Sequence, residues 1–73
     1  MQFQNIQLTT EYITLGQLLK FAGVIGSGGE AKDYLESAPT KVNGQPESRR
    51  GRKIYPGDTV VISQHLAIRI SGK

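Results

Sequence analysis

The sequence predicts an α+β domain in which two short helices pack on a small, mostly antiparallel sheet. Leu15, Leu18, Leu19 and Ala22 recur at i, i+3, i+4 and i+7, the stripe of an amphipathic helix. Ala31, Tyr34 and Leu35 begin a second stripe after a glycine-rich stretch. Asn43-Gly44 is a favoured two-residue type I′ hairpin turn. Beyond it, the β-branched run Thr59-Val60-Val61-Ile62-Ser63 reads as a strand, and Leu66, Ile68 and Ile70 alternate with Ala67 and Arg69 in another. Helices followed by strands in so short a chain call for a helix pair covering one face of a sheet.

Each element has its own signal. Near the start, Ile6 and Leu8 alternate with Asn5, Gln7 and Thr9, which predicts a short, polar edge strand with unpaired backbone groups open to a neighbour. Thr14 and Gln17 have the spacing of a capping box, in which the hydroxyl accepts from the N3 amide and the glutamine returns to the N-cap amide. Gly23 supplies the stop, so the first helix is expected over 15–22. Ser27-Gly28-Gly29-Glu30 repeats the pattern and predicts a second capping box, with Pro39 ending that helix. Gly23-Val24-Ile25-Gly26 joins the two into a helical hairpin. Helices under about 12 residues are marginal alone in water, so both need the sheet. Lys41-Val42 enters the Asn43-Gly44 turn, and Pro56-Gly57-Asp58 marks a second turn before the β-branched run.

At 73 residues the chain reads as one domain, 1–73, near the lower limit for folding unaided. A domain of this size buries about 60% of its unfolded surface, too little to enclose a large active site. The absence of cysteine excludes a disulfide framework and a thiolate metal site. No stretch approaches the roughly 20 consecutive apolar residues of a membrane helix. The start, Met1-Gln2-Phe3-Gln4-Asn5, lacks the features of a signal peptide, so a cytoplasmic protein is expected.

A net charge of +3 hides a lopsided distribution. Residues 1–37 set Lys20 and Lys32 against Glu11, Glu30, Asp33 and Glu36, a net of −2. Residues 38–73 set Lys41, Arg49, Arg50, Arg52, Lys53, Arg69 and Lys73 against Glu47 and Asp58, a net of +5. The densest run is Arg49-Arg50-Gly51-Arg52-Lys53. Such asymmetry points to an anionic partner. Arginine suits phosphate because its planar fork grips two oxygens and also stacks on unpaired bases.

Other candidates are more local. Gly26-Ser27-Gly28-Gly29 opens a helix, where backbone amides suit a phosphate, although capping by itself accounts for Ser27 and Glu30. The glycines do not fit a P-loop. Lys20 and Lys32 lie off the apolar stripes and become site residues if they share a face with Arg49 and Arg50. Tyr12, Tyr34 and Tyr55 carry rings that can stack on bases. Tyr34 falls on a helical stripe and is assigned to the core, whereas Tyr55, directly after the basic run, is the stacking candidate. His65 is the lone histidine and falls in an expected turn, without the companions of a triad or metal site, so a structural or exposed role is expected. No acid–base pair is evident, and no enzymatic activity, metal, cofactor or small-molecule substrate is expected.

These motifs together resemble a known module. Helix, glycine-containing loop, helix beginning with Ser27-Gly28-Gly29-Glu30-Ala31-Lys32, then Val42-Asn43-Gly44, the basic run, and Gly57-Asp58 before a β-branched strand resemble the RNA-binding domain of ribosomal protein S4, the alpha-L motif. The resemblance runs from Ile13 to Ile62. That module recurs in pseudouridine synthases, tyrosyl-tRNA synthetases and a small heat-shock protein that binds ribosomal RNA. The chain is most similar to the short stand-alone bacterial members, the YbcJ and YaaA group. The resemblance implies structured RNA as partner, ribosomal or transfer RNA, met by the helix pair and adjoining loops. By position, Ser27 and Lys32 match the start of the second helix, Lys41 flanks the Val-Asn-Gly turn, and Arg49–Lys53 match the basic segment of the short members. Two departures stand out. Many members have arginine directly after the serine, where this chain has Gly28, and many begin the first helix with Arg-Leu-Asp, where this chain has Thr14-Leu15-Gly16. Both shift the expected contact toward Arg49, Arg50, Arg52 and Lys53, with Lys20, Lys32, Ser27, Lys41 and Tyr55 around them.

The expected function is therefore a non-catalytic RNA-binding module that recognises the phosphate backbone and shape of structured RNA, whose A-form major groove is too narrow for side-chain readout. An alternative is a protein-interaction adaptor whose basic loop docks an acidic partner, for example a ribosome-assembly factor or other ribosome-associated protein. DNA binding is a third reading, since phosphate affinity alone does not distinguish the polymers. No membrane partner is expected.

Overall fold

Leu15, Leu18 and Leu19 meet Ala31 and Leu35 in one buried cluster with Ile6, Val42, Val60, Ile68 and Ile70. The two helical stripes thus find the surface that the sequence called for. The computed structural model describes residues 2–38, 40–63 and 66–72; Pro39 and His65, with the roles expected of them, lie outside these. The elements in chain order are β1 (Gln2–Gln7), β2 (Ile13–Thr14), α1 (Leu15–Phe21), a 3-10 turn (Gly28–Glu30), α2 (Ala31–Ser37), β3 (Thr40–Val42), β4 (Gln45–Glu47), β5 (Lys53–Ile54), β6 (Thr59–Val61) and β7 (Leu66–Ser71).

The main sheet has the order β1-β7-β6-β3-β4, and β2 and β5 form a separate pair. Pairing is antiparallel except between β1 and β7, where Ile6 lies opposite Ile70. The expected α+β architecture with a mostly antiparallel sheet is what the chain adopts. β1 occupies an edge, as its polar composition suggested, and in sequence every other element falls between the two strands of that one parallel pairing. Pro46 sits on β4, the opposite edge, where a missing amide costs no ladder bond.

Turn chemistry fixes the register. Asn43 and Gly44 have φ of 53° and 84°, the two positive values that a type I′ turn requires. The Asn43 side chain donates to Asp58 Oδ1 at 3.0 Å and accepts from the Thr59 amide at 2.9 Å. Asp58 Oδ2 in turn accepts from the Tyr55 amide at 2.8 Å. The two turns read separately from the sequence are therefore one polar clasp, and its exit delivers the chain into β6.

The helix ends are partly as expected. At α1 both halves of the Thr14–Gln17 capping box form. Its C-terminus is a Schellman motif: Gly23, at φ 78°, donates to the Lys20 carbonyl at 3.1 Å, and Val24 donates to Leu19 at 3.0 Å. The capping box expected at Ser27–Glu30 does not form. The Ser27-Gly28-Gly29 stretch tightens instead into a 3-10 turn, with the Glu30 amide donating to the Ser27 carbonyl at 3.2 Å. Glu30 becomes the N-cap of α2 in helical conformation, and its carboxylate accepts from the Gly26 amide at 3.3 Å. Two consecutive glycines make the tighter turn accessible, and it moves Glu30 from the third helical position to the cap.

Thr40 is fully buried on β3, and its hydroxyl finds no hydrogen-bond partner among the described residues. An unsatisfied buried hydroxyl costs about 1–3 kcal/mol. Thr40→Val keeps the shape and removes that cost. It should stabilise the domain by about 1 kcal/mol and raise the thermal midpoint by about 4–8 °C. A calorimetric scan that showed a lower midpoint would mean that the hydroxyl is satisfied after all.

Candidate nucleic-acid interface

The basic run is positioned by its backbone before its side chains. The Leu15 amide donates to the Arg52 carbonyl at 2.8 Å, and the Gly16 amide donates to the Arg50 carbonyl at 2.9 Å. These are the first two amides of α1, which have no partner within the helix. The third, that of Gln17, is taken by the Thr14 hydroxyl at 3.3 Å. Immediately beside them β2 pairs with β5, setting Thr14 against Lys53 and Ile13 against Ile54. These strands, two residues each, were too short to show any periodicity in the sequence.

Gly16 makes the close approach possible. A Cβ at that position would lie 3.3 Å from the Arg50 Cβ, 3.4 Å from the Arg50 carbonyl oxygen and 3.5 Å from the Ala31 Cβ. Thr14-Leu15-Gly16, a departure from the resembling family at sequence level, is here the seat of the basic loop.

Glu47 organises two of the arginines. Its carboxylate accepts from Arg49 Nε at 3.0 Å, Arg49 Nη2 at 3.1 Å and Arg52 Nη1 at 3.0 Å, and also from the Arg49 amide at 3.2 Å. It is 9% exposed while Arg49 remains 75% exposed, so the guanidinium is tethered at one edge and open at the other. The Arg49 side-chain hydrogen bonds hold the Glu47 carboxyl down at about 2, with burial opposing them and the Arg49 amide and Arg52 assisting. The same pair raises the Arg49 guanidinium. Arg50 and Lys53 are in no ion pair among the described residues; Lys53 Nζ instead stands 5.0 Å from the centre of the Tyr12 ring.

Three shallow grooves divide the candidates. Arg49, Arg52, Lys53 and Tyr55 line one, with Gly51 and Asp58. Arg50 and Lys20 line a second, with Thr14, Gly16, Gln17 and Gly51. Lys20 therefore does share a surface with the basic run, the condition attached to it. A third groove, bounded by Thr10, Tyr12, Ile13, Gln17, Lys20 and Phe21, continues from the second through Gln17 and Lys20. Ser27, Lys32 and Lys41 are exposed but line none of these three grooves.

The structure adds Phe21, which sequence reasoning passed over, and brings Tyr12, already named among the rings able to stack, to the same surface. Phe21 is 71% exposed, and Tyr12, 38% exposed, lies 5.9 Å from the Tyr55 ring. Phe21 falls off the Leu15, Leu18, Leu19 stripe, which was the available signal for it. Glu47 carried none, because only the fold shows that it turns back on the arginines that follow it.

The helix pair, the turn clasp and the basic loop seated on α1 define a small α+β module with one cationic face, and comparison with known families places it. The sequence matches the S4 domain over residues 6–71, and the chain belongs to that family. It is 56% identical over 57 residues, covering 78% of this chain and 80% of the relative, to the probable ribosome maturation protein RlbA of Bacillus subtilis (strain 168). It is also 35% identical over 57 residues to the tyrosine–tRNA ligase of Burkholderia lata, covering 78% of this chain and 14% of the ligase. Among the described residues no helix is long and apolar enough to cross a membrane.

The lowered Glu47 carboxyl gives a pH prediction with a definite sign. In the folded chain its ionised form is favoured, so its stabilisation is complete above the ordinary value of 4.5 and is lost as pH falls from there toward about 2. Because Arg49 is solvated, the contribution is on the order of 1 kcal/mol. Glu47→Gln should lower stability at pH 7 and flatten the fall in urea midpoint between pH 5 and pH 3. A variant whose acid profile matched the parent would exclude Glu47 as the group responsible.

Proposed function

We propose that this protein is a non-catalytic module that binds structured RNA through the surface where the Arg49–Lys53 loop meets α1. The observation that carries this reading is the groove shared by Lys20 and Arg50, lined by no carboxylate among the described residues, beside a second groove where Arg49, Arg52 and Lys53 converge. Membership of the S4 domain family supports RNA as the polyanion. The similarity to a probable ribosome maturation protein, most of whose length the chain covers, supports ribosomal RNA as the target and a ribosome-associated, cytoplasmic setting. A tyrosine–tRNA ligase as second relative keeps transfer RNA as the other candidate.

The two kinds of cation have different tasks in this reading. Arg49 and Arg52, oriented by Glu47, present fixed forks to phosphate oxygens. Lys20, Arg50 and Lys53 supply charge that follows the backbone. Tyr55 closes the groove beside Lys53 and offers a ring to a neighbouring sugar or base. Ser27, Lys32 and Lys41 become outlying phosphate contacts when the RNA is long enough to reach past the loop.

Lys20→Ala with Arg50→Ala is the test, because neither residue has a carboxylate partner among the described residues, so folding should be unaffected. Losing two phosphate contacts should reduce the log–log salt slope for a ribosomal RNA hairpin by about 1.4–1.8. Affinity should fall uniformly across RNA sequences while the folding stability stays within about 0.5 kcal/mol of the parent. Anisotropy titrations at two salt concentrations, with a matched DNA duplex alongside, measure this. An unchanged slope would refute the site, and equal affinity for the DNA would refute RNA preference.

A further inference from the structure

We infer that the groove between Phe21 and Tyr12 receives an unpaired nucleotide of the bound RNA, its base stacked on the aromatic rings and its phosphate held by Lys20 and Arg50. This rests on the RNA-binding reading and narrows it to an RNA in which a helix is interrupted by a bulge or ends in a loop.

The aromatic rings make the case. Single exposed apolar side chains are ordinary. Here, however, three of the four large exposed hydrophobics among the described residues, Tyr12, Phe21 and Tyr55, border one basic surface. A solvated ring offers little to phosphates or sugars along a paired helix, whose bases are already stacked inside. It offers a great deal to a base out of the stack, since base–aromatic stacking contributes about 1–3 kcal/mol per base. The charge pattern selects the same occupant. The groove holding Phe21 and Tyr12 joins the Arg50 groove through Lys20 and Gln17, and among the described residues neither is lined by a carboxylate. Rings on one side and cations on the other fit the two ends of a nucleotide.

The Tyr12 ring and the Phe21 backbone are also held ready. Phe21 closes α1 directly before the Schellman motif, so its backbone is fixed. Tyr12 is flanked by Lys53, 5.0 Å from its ring centre, and by Tyr55 at 5.9 Å with the planes tilted by 48°. Side chains already in place lose little freedom on binding. Gln17 completes the lining: its Oε1 is committed to the Thr14 amide, which leaves the side-chain nitrogen to donate to an acceptor on the base edge.

The experiment uses two RNA hairpins, identical except that one carries a single 2-aminopurine bulge and the other is fully paired with 2-aminopurine in the stem. The protein should prefer the bulged hairpin and change the fluorescence of its bulged base, with little change in the paired one. Phe21→Ala should lower affinity for the bulged hairpin about 5- to 150-fold and abolish the fluorescence response, with no loss on the paired hairpin. Tyr12→Phe, which keeps the ring, should behave as the parent. Equal affinity for both hairpins, or a fluorescence response that survives Phe21→Ala, would overturn the nucleotide pocket and leave RNA binding standing. No binding to either hairpin at low salt would overturn both, and would turn attention to a protein with an acidic surface.

Discussion

Two backbone hydrogen bonds, from the Leu15 amide to the Arg52 carbonyl and from the Gly16 amide to the Arg50 carbonyl, join the basic loop to the first helix, and much of the functional surface depends on them. Each satisfies a helix-terminal amide that would otherwise need water or a side chain. Together they turn a glycine-containing run of cations, which alone would be a solvated loop, into a fixed ledge beside Lys20. The absence of a side chain at position 16 is what permits the approach. The same bonds decide how an anion can be held. With the first three amides of α1 already engaged, a phosphate is left to the guanidinium and ammonium groups rather than to the helix terminus.

Concentrating four cations within five residues has an electrostatic cost, and Glu47 offsets part of it. A carboxylate among arginines lowers their mutual repulsion and fixes two of them, at the expense of some of the positive field that attracts a polyanion. The distribution of partners reflects that compromise. Arg49 and Arg52 are tethered, whereas Arg50 and Lys53 are in no ion pair among the described residues. Tethered forks give geometry; unpaired cations give long-range attraction and salt dependence. A loop with all four cations paired would steer poorly, and one with none paired would be expensive to order on binding.

Much of the fold was legible because its signals are local. The Thr14–Gln17 cap, the Leu15–Ala22 stripe, the Asn43-Gly44 turn and the alternation of Leu66, Ile68 and Ile70 each lie within a few residues, and each is where the periodicity placed it. The failure at Ser27–Glu30 was also local: the spacing of a capping box was present, but two glycines between its ends favoured a tighter turn. What the sequence could not display were pairings over long separations. β2 and β5 are two residues each and acquire meaning only across the loop between them. The Asn43–Asp58 clasp joins two turns that, read singly, were merely turns. The candidate site divides the same way. The Arg49–Lys53 run was visible as composition, whereas its junction with Lys20, and the rings of Tyr12 and Phe21 beside it, are consequences of packing.

That division bears on how a family resemblance is carried onto residues. Asn43, within the Val-Asn-Gly motif, and Asp58, after Gly57, supported the resemblance, yet here they hydrogen-bond to each other and to the backbone. They hold β3, β6 and the Tyr55 turn in register, so the part the structure gives them is to place the chain. The positions where this chain departs from the family, Thr14-Leu15-Gly16, lie instead at the seat of the cationic loop, with Thr14 and Gly16 lining the groove. A shared scaffold motif therefore says that the surface exists. The residues set upon it decide which cations and rings the surface presents. In this chain the cations gather on the face formed by α1 and the Arg49–Lys53 loop, where Lys20 and Arg50 line one groove and Arg49, Arg52 and Lys53 the next.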